Sequence, residues 1–320
     1  MKKRRLFSFL LLLVLLAGMF SVPAFADGEE ADDTGPFEVH AKAAILLDMN
    51  TDRIIYEKNL DERVYPASLT KIMTCLLALE NGNLSDIVTI DEGAFTGLDG
   101  NSSTAGLQVG EQLSFNDLLY CLMLSSGNEA ANAVAEHIAG SIPDFVRMMN
   151  ERAYELGCTG THFVNPHGLH NEEHYTTVND LVLITKAALK SENFKTITNT
   201  AKYELPATNL SEARTLKSTN MLIDNTTGNS LYYKRAIGIK TGYTTPAGRC
   251  LISCAKGDGM YFLAVICGAA TTVLESGDVR METNFIKYAA FVSFFPQLIA
   301  GPIVRSASGY LTTALTSSPM

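Results

Sequence analysis

The sequence lacks closely spaced cysteine pairs: its six cysteines include no C-x-x-C spacing, and most of them lie inside apolar stretches. Isolated cysteines in apolar surroundings are typical of buried free thiols, which behave as small hydrophobic side chains. We therefore expect free, buried thiols, with disulfides as the alternative, at Cys75, Cys121, Cys158, Cys250, Cys254 and Cys267.

Basic residues are also scarce, with 25 Lys and Arg against 34 Asp and Glu and a net charge of −9. Four of the basic residues occupy positions 2–5, and the first 26 residues contain no Asp or Glu. The rest of the chain therefore keeps 21 Lys and Arg against 34 Asp and Glu, a net charge of −13. Phosphate binding needs a basic face, so this balance argues against a nucleic-acid partner. An acidic surface chiefly favours solubility.

The N-terminal region has no apolar run long enough for a typical membrane span. Leu6–Phe20 is almost wholly apolar, but it is shorter than the ~20 residues that a membrane helix needs. Basic residues precede it, and Ala24-Phe25-Ala26 follows in the small-x-small pattern that a signal peptidase cleaves. This order predicts a signal peptide over residues 1–26 and an exported, extracytoplasmic protein, with a retained membrane helix as the alternative. Residues 27–37, acidic and containing glycine, are expected to form a flexible lead-in.

The chain contains no internal repeat and no low-complexity block, and its length suffices for one large domain or two. Helical spacing and capping residues predict helices that begin near Ser68, Ser114, Glu129, Ser141 and Thr177. Short apolar runs between turn residues predict a β-hairpin over residues 41–57 and strands at 236–240, 249–255 and 261–267. Loops and short strands are expected over residues 83–113. The first and last strands should therefore form one sheet that closes over a helical insertion.

Ser68-Leu69-Thr70-Lys71 places a serine and a lysine three residues apart at the start of a predicted helix. A serine hydroxyl is a weak nucleophile that needs a nearby base, and residues three apart share one helix face. The helix N-terminus adds backbone N–H groups that can hold an oxyanion. The tetrapeptide alone is more typical of a helix cap followed by a surface lysine, because both residue types are common.

Two further short motifs lie where they could face a cleft. Ser126-Gly127-Asn128 lies between two predicted helices and could present a hydroxyl and a carboxamide, although Asn128 could instead cap the next helix. Lys240-Thr241-Gly242 follows a β-rich run. There Lys240 and Thr241 could bind a carboxylate, and Gly242 would allow a substrate to approach the backbone closely. The alternative is a strand that simply ends in a turn.

The order S-x-x-K, S-x-N, K-T-G, each on the element type that its chemistry needs, is the signature of penicillin-binding proteins and serine β-lactamases. Three longer sequence strings make this signature more specific: Pro66–Thr74, Phe163–Leu169 and Lys240–Gly248. Over residues 38–288 the chain resembles the low-molecular-weight D-alanyl-D-alanine carboxypeptidases of the serine penicillin-binding superfamily. The resemblance implies an α/β (α+β) fold of the β-lactamase/transpeptidase type, an antiparallel sheet flanked by helices beside an all-helical subdomain.

The resemblance also implies residue roles at the reacting bond. Ser68 would attack the carbonyl between the two terminal D-alanines, and Lys71, as the free amine, would take its proton. Ser126 would relay protons, and Asn128 would hold the peptide amide. Burial and the charge of Lys240 are both expected to lower the pKa of Lys71.

The remaining implied roles concern substrate binding. Lys240 and Thr241 would bind the terminal carboxylate beside Gly242, and the backbone N–H groups of Ser68 and Tyr243 would form the oxyanion hole. The implied substrate is a peptidoglycan stem peptide ending in D-Ala-D-Ala, with β-lactam antibiotics as covalent inhibitors and no cofactor. The middle motif reads Ser-Gly-Asn, which agrees with the carboxypeptidase branch.

Three other functions stay open at this point. A zinc peptidase would use a cluster of imidazoles and carboxylates, His162, His167, His170, His174, Glu172 and Glu173, but these residues form no H-E-x-x-H helix. A serine β-lactamase would need a carboxylate that holds the deacylating water, and no glutamate is readily assigned to that role. A non-catalytic penicillin-binding sensor would keep the fold without turnover.

The C-terminal segment, residues 289–320, departs from the family pattern. Phe291–Arg305 is strongly apolar and is similar to a segment of membrane-bound O-acyltransferases of the alginate-acetylating kind. A run with two prolines is poor as a spanning helix. We expect either a chimeric reading frame or a divergent tail, with peripheral membrane contact as one consequence.

Overall fold

The computed structural model describes residues 39–269. The predictions for the signal peptide at 1–26, the lead-in at 27–37 and the apolar tail at 289–320 concern residues outside this range, as do the ends of the predicted domain 38–288.

Five strands form the main sheet, in the order β2-β1-β9-β8-β7, with every neighbouring pair antiparallel. Pairing of β1 with β9 joins the start of the described chain to its end, as the sequence predicted. Two small hairpins, β3-β4 and β5-β6, lie apart from this sheet. The strands within residues 39–269 are β1 Ala43–Asp48, β2 Arg53–Lys58, β3 Ile87–Thr89, β4 Gln112–Ser114, β5 Lys202–Leu205, β6 Arg214–Lys217, β7 Ala236–Thr244, β8 Gly248–Gly257 and β9 Met260–Ala269.

The helices of the described range are α1 Lys71–Asn81, α2 Phe115–Met123, α3 Asn128–Ala139, α4 Ile142–Glu155, α5 Val178–Ala188 and α6 Glu192–Thr198. Helix α1 contacts each of the other five. Helix α5 packs against β1 and β9, and α6 packs against β7, whereas α3 packs against α2 and α4. The mostly buried α1 therefore lies between the helices on the sheet and a separate group of helices, in agreement with the expected fold class.

Both faces of β1, which lies between β2 and β9 in the sheet, are buried, and this explains its unbroken apolar run. Ala43, Ile45 and Leu47 belong to the main core with the helices, while Ala44 and Leu46 belong to clusters on the opposite face. A strand buried on both faces reads as a continuous apolar stretch instead of an alternating one.

Several helix ends follow from local capping. Ser114 Oγ accepts the Asp117 N–H and donates to the Asp117 carboxylate, which starts α2 as predicted. Ser141 caps α4 in the same way through Asp144. Gly140 ends α3 with φ 77°, a conformation in which glycine avoids the Cβ clash.

Some elements differ from the sequence-based predictions. Helix α6 and the β5-β6 hairpin are not predicted, because both are short and lack a strong apolar period. The strand β7 is predicted to end at Lys240, whereas it continues to Thr244, so the K-T-G motif lies inside an edge strand. All six cysteines are buried and free, as expected. Among the helices of residues 39–269, none combines the length and the apolar character that crossing a bilayer requires.

Candidate active site

Ser68 lies in a 3₁₀ turn, Ala67–Thr70, that leads directly into α1. Side chains three residues apart eclipse each other in a 3₁₀ helix, so the turn brings Lys71 beside Ser68. The Lys71 Nζ lies 3.2 Å from Ser68 Oγ. Ala67 begins the turn with a left-handed φ of 48°, which is uncommon for a residue with a side chain. The expected pairing of Ser68 with Lys71 is therefore present.

Lys71 is fully buried and is surrounded by oxygen atoms. Besides Ser68, its Nζ lies 2.6 Å from Asn128 Oδ1 and 2.8 Å from the carbonyl oxygen of His167. Burial is the main reason that the pKa of Lys71 is well below its usual value, and the nearby charge of Lys240 lowers it further, while Glu129 opposes both. A neutral amine at this position can accept the Ser68 proton.

The loop Asn165–Leu169 supplies the His167 carbonyl, a contact that the sequence did not reveal. Asn165 Oδ1 accepts the Gly168 N–H at 2.7 Å, and its amide donates to the Leu169 carbonyl at 3.0 Å. Gly168 has φ 93°, and a Cβ there would lie 1.8 Å from the Ala67 oxygen. Only glycine lets this loop approach the turn before Ser68, and that approach brings the His167 carbonyl to Lys71.

The loop Ser126–Asn128 connects α2 to α3 as predicted. Ser126 has a left-handed φ of 59°. Its buried Oγ has no hydrogen-bond partner within the described residues. The alternative that Asn128 caps α3 is wrong, because Gly127 is the N-cap and the Asn128 side chain reaches Lys71 instead. A buried hydroxyl without a partner is costly in a folded protein, which is typical of a group reserved for a substrate.

Lys240 and Thr241 lie on β7, the edge strand next to the Ser68 turn. The Lys240 side chain is almost completely buried, and its Nζ donates to the Thr241 carbonyl at 3.0 Å. Burial lowers the pKa of Lys240 to about 7. The Thr241 hydroxyl donates to Thr219 Oγ1 at 2.5 Å. Two hydroxyls and an ammonium group on one edge are suited to bind a carboxylate, and Thr219 was not identified from the sequence.

Gly242 allows β7 to pack closely against the nucleophile's own backbone. A Cβ at Gly242 would lie 3.0 Å from Ser68 N and 3.1 Å from the Pro66 oxygen. The next residue, Tyr243, has a side chain that is 56 % exposed. The Gly242 backbone therefore passes beside the Ser68 amide, and this places the two expected oxyanion donors, Ser68 and Tyr243, in neighbouring segments.

The histidine-rich segment does not form the alternative zinc site. Within residues 39–269, no three His, Cys, Asp or Glu side chains are grouped so that they could hold a metal ion. His174 Nδ1 accepts the Val164 N–H, so Nε2 carries the proton and donates to Thr70 Oγ1 at 2.8 Å. The Thr70 hydroxyl donates in turn to the Ala67 carbonyl at 2.8 Å. These side chains therefore support the Ser68 turn.

The chain is similar to known proteins in sequence and in fold. The family model of D-alanyl-D-alanine carboxypeptidases matches residues 29–271, and the chain therefore belongs to this family. It is 37 % identical over 287 residues to the D-alanyl-D-alanine carboxypeptidase DacF of Bacillus subtilis, covering 88 % of this chain and 70 % of that one. It is 33 % identical to DacC of Escherichia coli, covering 79 % of this chain and 62 % of that one.

A solved structure agrees with these sequence relatives. The DD-transpeptidase of Streptomyces K15 superposes with a TM-score of 0.69 at 30 % identity, covering 80 % of this chain and 98 % of that one. The fold is therefore that of the DD-transpeptidases, and the resemblance inferred from the sequence motifs is confirmed.

Proposed function

We propose that the protein is a serine D-alanyl-D-alanine carboxypeptidase that removes the terminal D-alanine from peptidoglycan stem pentapeptides. The observation that carries this proposal is the fully buried Lys71 amine 3.2 Å from the Ser68 hydroxyl. The names of the relatives agree with it.

In the first step, the Ser68 oxygen attacks the carbonyl carbon of the penultimate D-alanine, and the Ser68 proton passes to the neutral Lys71 amine. The carbonyl oxygen becomes an oxyanion held by the backbone N–H groups of Ser68 and Tyr243. The C–N bond then breaks, and the leaving D-alanine amine receives the proton from Lys71 through the Ser126 hydroxyl. The product of this step is an ester between Ser68 and the shortened peptide.

The terminal carboxylate of the substrate is proposed to lie against β7. Lys240 supplies the positive charge, and Thr241 and Thr219 supply hydroxyl donors on the same edge. Bound carboxylate would raise the pKa of Lys240 above its value of about 7 in the free protein, because an opposite charge favours the ammonium form. After D-alanine leaves, water attacks the ester, and Lys71 accepts a proton from the water and returns one to Ser68.

Intact mass after reaction with benzylpenicillin tests the nucleophile. The wild-type protein is expected to gain one penicilloyl group, and peptide mapping is expected to place it on Ser68. Ser68→Ala should gain none. Ser253→Ala is a matched control, because Ser253 and Lys256 have the same S-x-x-K spacing but lie on β8, where Ser253 donates to the Gly238 carbonyl. That variant should still form the adduct.

A peptide ending in D-Ala-D-Ala separates the remaining functions. Release of free D-alanine with hydrolysis supports the proposed carboxypeptidase. A penicillin adduct without D-alanine release indicates a sensor, and rapid turnover of nitrocefin indicates a β-lactamase. Transfer of the acyl group to an added amine in preference to water indicates a transpeptidase.

We also propose that the protein is exported and acts at the cell wall or the outer face of the cytoplasmic membrane, with peripheral membrane contact through residues 289–320. The basic residues 2–5, the apolar run after them and the Ala24-Phe25-Ala26 site support export. Fractionation of cells that express the full chain, with N-terminal sequencing of the product, tests the proposal. A product that starts at Asp27 outside the cytoplasm is expected, and an uncleaved cytoplasmic chain would contradict it.

A further inference from the structure

Glu129 follows Asn128 in α3, and its side chain is almost completely buried. One carboxylate oxygen, Oε1, accepts the Thr104 hydroxyl at 2.7 Å and the Ala105 backbone N–H at 2.6 Å. Hydrogen bonds to a charged acceptor are shorter and stronger than neutral ones. Glu129 therefore binds the extended segment 103–105 firmly to the first turn of α3.

The segment 103–105 lies directly on the loop that carries the second motif. The Asn128 N–H donates to the Ser103 carbonyl at 2.9 Å. A Cβ at Gly127 would lie 3.2 Å from both the Ala105 Cβ and the Ala105 nitrogen. The backbone on which Ser126 and Asn128 depend is therefore covered by this segment, and glycine at 127 leaves room for it.

The other side of the segment is held more weakly. Arg214 Nε lies 3.4 Å from the Ala105 carbonyl, and Arg214 also pairs with the buried Glu111 at 2.9 Å. A left-handed residue such as Ser126 costs free energy and persists only where its surroundings fix it. Of these contacts to segment 103–105, those of Glu129 are the shortest, and the segment packs on Gly127, the neighbour of Ser126.

We propose that Glu129 is a positioning residue, whose carboxylate holds segment 103–105 on Gly127 and so fixes the loop in which Asn128 meets Lys71. This inference rests on the proposed function, because it assigns Glu129 a part in the acylation of Ser68. Glu129 acts through Asn128 and through the loop conformation of Ser126.

The Glu129 carboxylate has a second, electrostatic effect on Lys71. The groups that act on the charge of Lys71 or respond to it are Lys240 on β7, Glu129 on α3, and His167 and His174 in the 162–175 segment. Burial and Lys240 lower the pKa of Lys71, and Glu129 raises it. Removing the negative charge of Glu129 should therefore lower this pKa further and shift the acid limb of the acylation profile to lower pH.

Three variants separate the two effects. Glu129→Gln keeps an oxygen acceptor for Thr104 and Ala105 but loses the charge. Because its hydrogen bonds are no longer charge-assisted, it should acylate at a rate between those of the wild type and Glu129→Ala on the pH plateau, with its acid limb at lower pH. Glu129→Asp keeps the charge but is one methylene shorter, so it should acylate more slowly at every pH with an unshifted limb. Glu129→Ala loses both and should acylate up to about 100-fold more slowly, since small misplacements have effects of this size.

Asp180 provides a matched control for a purely structural role. Its Oδ2 accepts the Gly160 N–H at 2.8 Å and the Thr161 hydroxyl at 2.7 Å. Like Glu129, it therefore binds one backbone N–H and one threonine hydroxyl, but at a position outside the site. Asp180→Ala should lose stability but keep the wild-type acylation rate per folded molecule. Equal losses of acylation in Glu129→Ala and Asp180→Ala, or wild-type acylation in Glu129→Ala, would overturn the proposal.

Amide hydrogen exchange tests the positioning without any use of activity. Exchange of the Ala105 and Asn128 amides should become faster in Glu129→Ala than in the wild type, and should increase much less in Glu129→Gln. Unchanged exchange in Glu129→Ala would refute the inference. A wild-type protein that forms no penicilloyl adduct would instead refute the proposed function, so the two failures are distinguishable.

Discussion

The 2.6 Å hydrogen bond between Lys71 Nζ and Asn128 Oδ1 determines which way the lysine lone pair faces. A neutral amine has two N–H bonds and one lone pair. Asn128 accepts one N–H and the His167 carbonyl accepts the other at 2.8 Å. The lone pair is then left for the Ser68 hydroxyl at 3.2 Å. Two carbonyl oxygens thus orient the base, and burial lowers its pKa and so favours the neutral amine.

Asn128→Asp should impair acylation through the charge of the base. A carboxylate beside Lys71 would raise the pKa of Lys71, since an opposite charge favours the ammonium form. Acylation needs the neutral amine, so the acid limb of the rate of penicillin acylation should shift to higher pH, with a lower rate at neutral pH. Stopped-flow acylation across the pH range measures this shift. An acid limb that stays in place would show that Asn128 does not act on Lys71.

The sequence predicted the three motifs and their convergence, because long family strings carry more information than a tetrapeptide. The spacing alone is ambiguous: Ser253 and Lys256 repeat S-x-x-K, but they lie on a strand, where Ser253 donates to the Gly238 carbonyl. Ser68 differs from Ser253 because it stands at the start of a helix, which the helical spacing of the apolar residues after it predicts.

Sequence motifs could not predict the contacts of backbone carbonyls, or of side chains that lie around the motif residues. Lys71 and His167 are 96 residues apart in the sequence. The His167 carbonyl reaches Lys71 because Gly168 lets its loop lie close to the turn at Ala67. Glu129 and Thr219 have no distinctive spacing, and their roles arise only from tertiary packing. A glutamate directly after the S-x-N motif was the one signal that could have drawn attention to Glu129.

Gly168→Ala should disrupt both the fold and the site. The φ of 93° is strained for alanine, and its Cβ would lie 1.8 Å from the Ala67 oxygen. We expect a loss of stability above about 3 kcal/mol, as for severe overpacking, together with loss of penicillin acylation. Gly97→Ala is the matched control, because its φ is also positive, at 71°, and no atom lies within 4 Å. It should cost about 1 kcal/mol and leave acylation intact. Equal unfolding free energies for the two variants in urea would contradict this account.

Two buried histidines should make the protein sensitive to acid. Burial is the main cause that lowers the pKa of His167 and of His174 to about 3 from the usual 6.5. The unfolded chain therefore binds more protons at these two residues below pH 6.5, and their contribution to stability is lost as the pH falls from 6.5 towards 3. Glu136 opposes part of this loss, because burial raises its pKa to about 7.

His174→Gln isolates one of the two histidines. The variant should lose stability between pH 6.5 and 5 less steeply than the wild type, by about 1.4 kcal/mol per pH unit for one proton. Titrating groups that do not interact with His174, including Glu136, cancel in the difference between the two proteins. Urea unfolding at several pH values measures the slopes. Parallel slopes in the two proteins would show that His174 is not a buried neutral group.

Lys240→Met should stabilise the protein while it weakens binding of the substrate carboxylate. Burial lowers the pKa of Lys240 from 10.5 to about 7, so the folded chain binds fewer protons than the unfolded chain between these values. The cost to stability is complete below pH 7 and disappears above 10.5. This cost to the wild type is a few kcal/mol. The variant should gain about 1 kcal/mol less than that, because it loses the hydrogen bond to Thr241.

Thermal unfolding at two pH values distinguishes this cost from a simple packing effect. At pH 7 the variant should melt several degrees above the wild type, at about 2–4 °C per kcal/mol for a domain of this size. At pH 10 the gain should shrink, because Lys240 of the wild type is then neutral in the folded state and begins to lose its proton in the unfolded state as well. The KM for a peptide ending in D-Ala-D-Ala should rise at the same time. A variant that melts below the wild type at pH 7 would contradict this account. It would mean that Lys240 stabilises the fold and that its burial carries no free-energy cost for a bound carboxylate to offset.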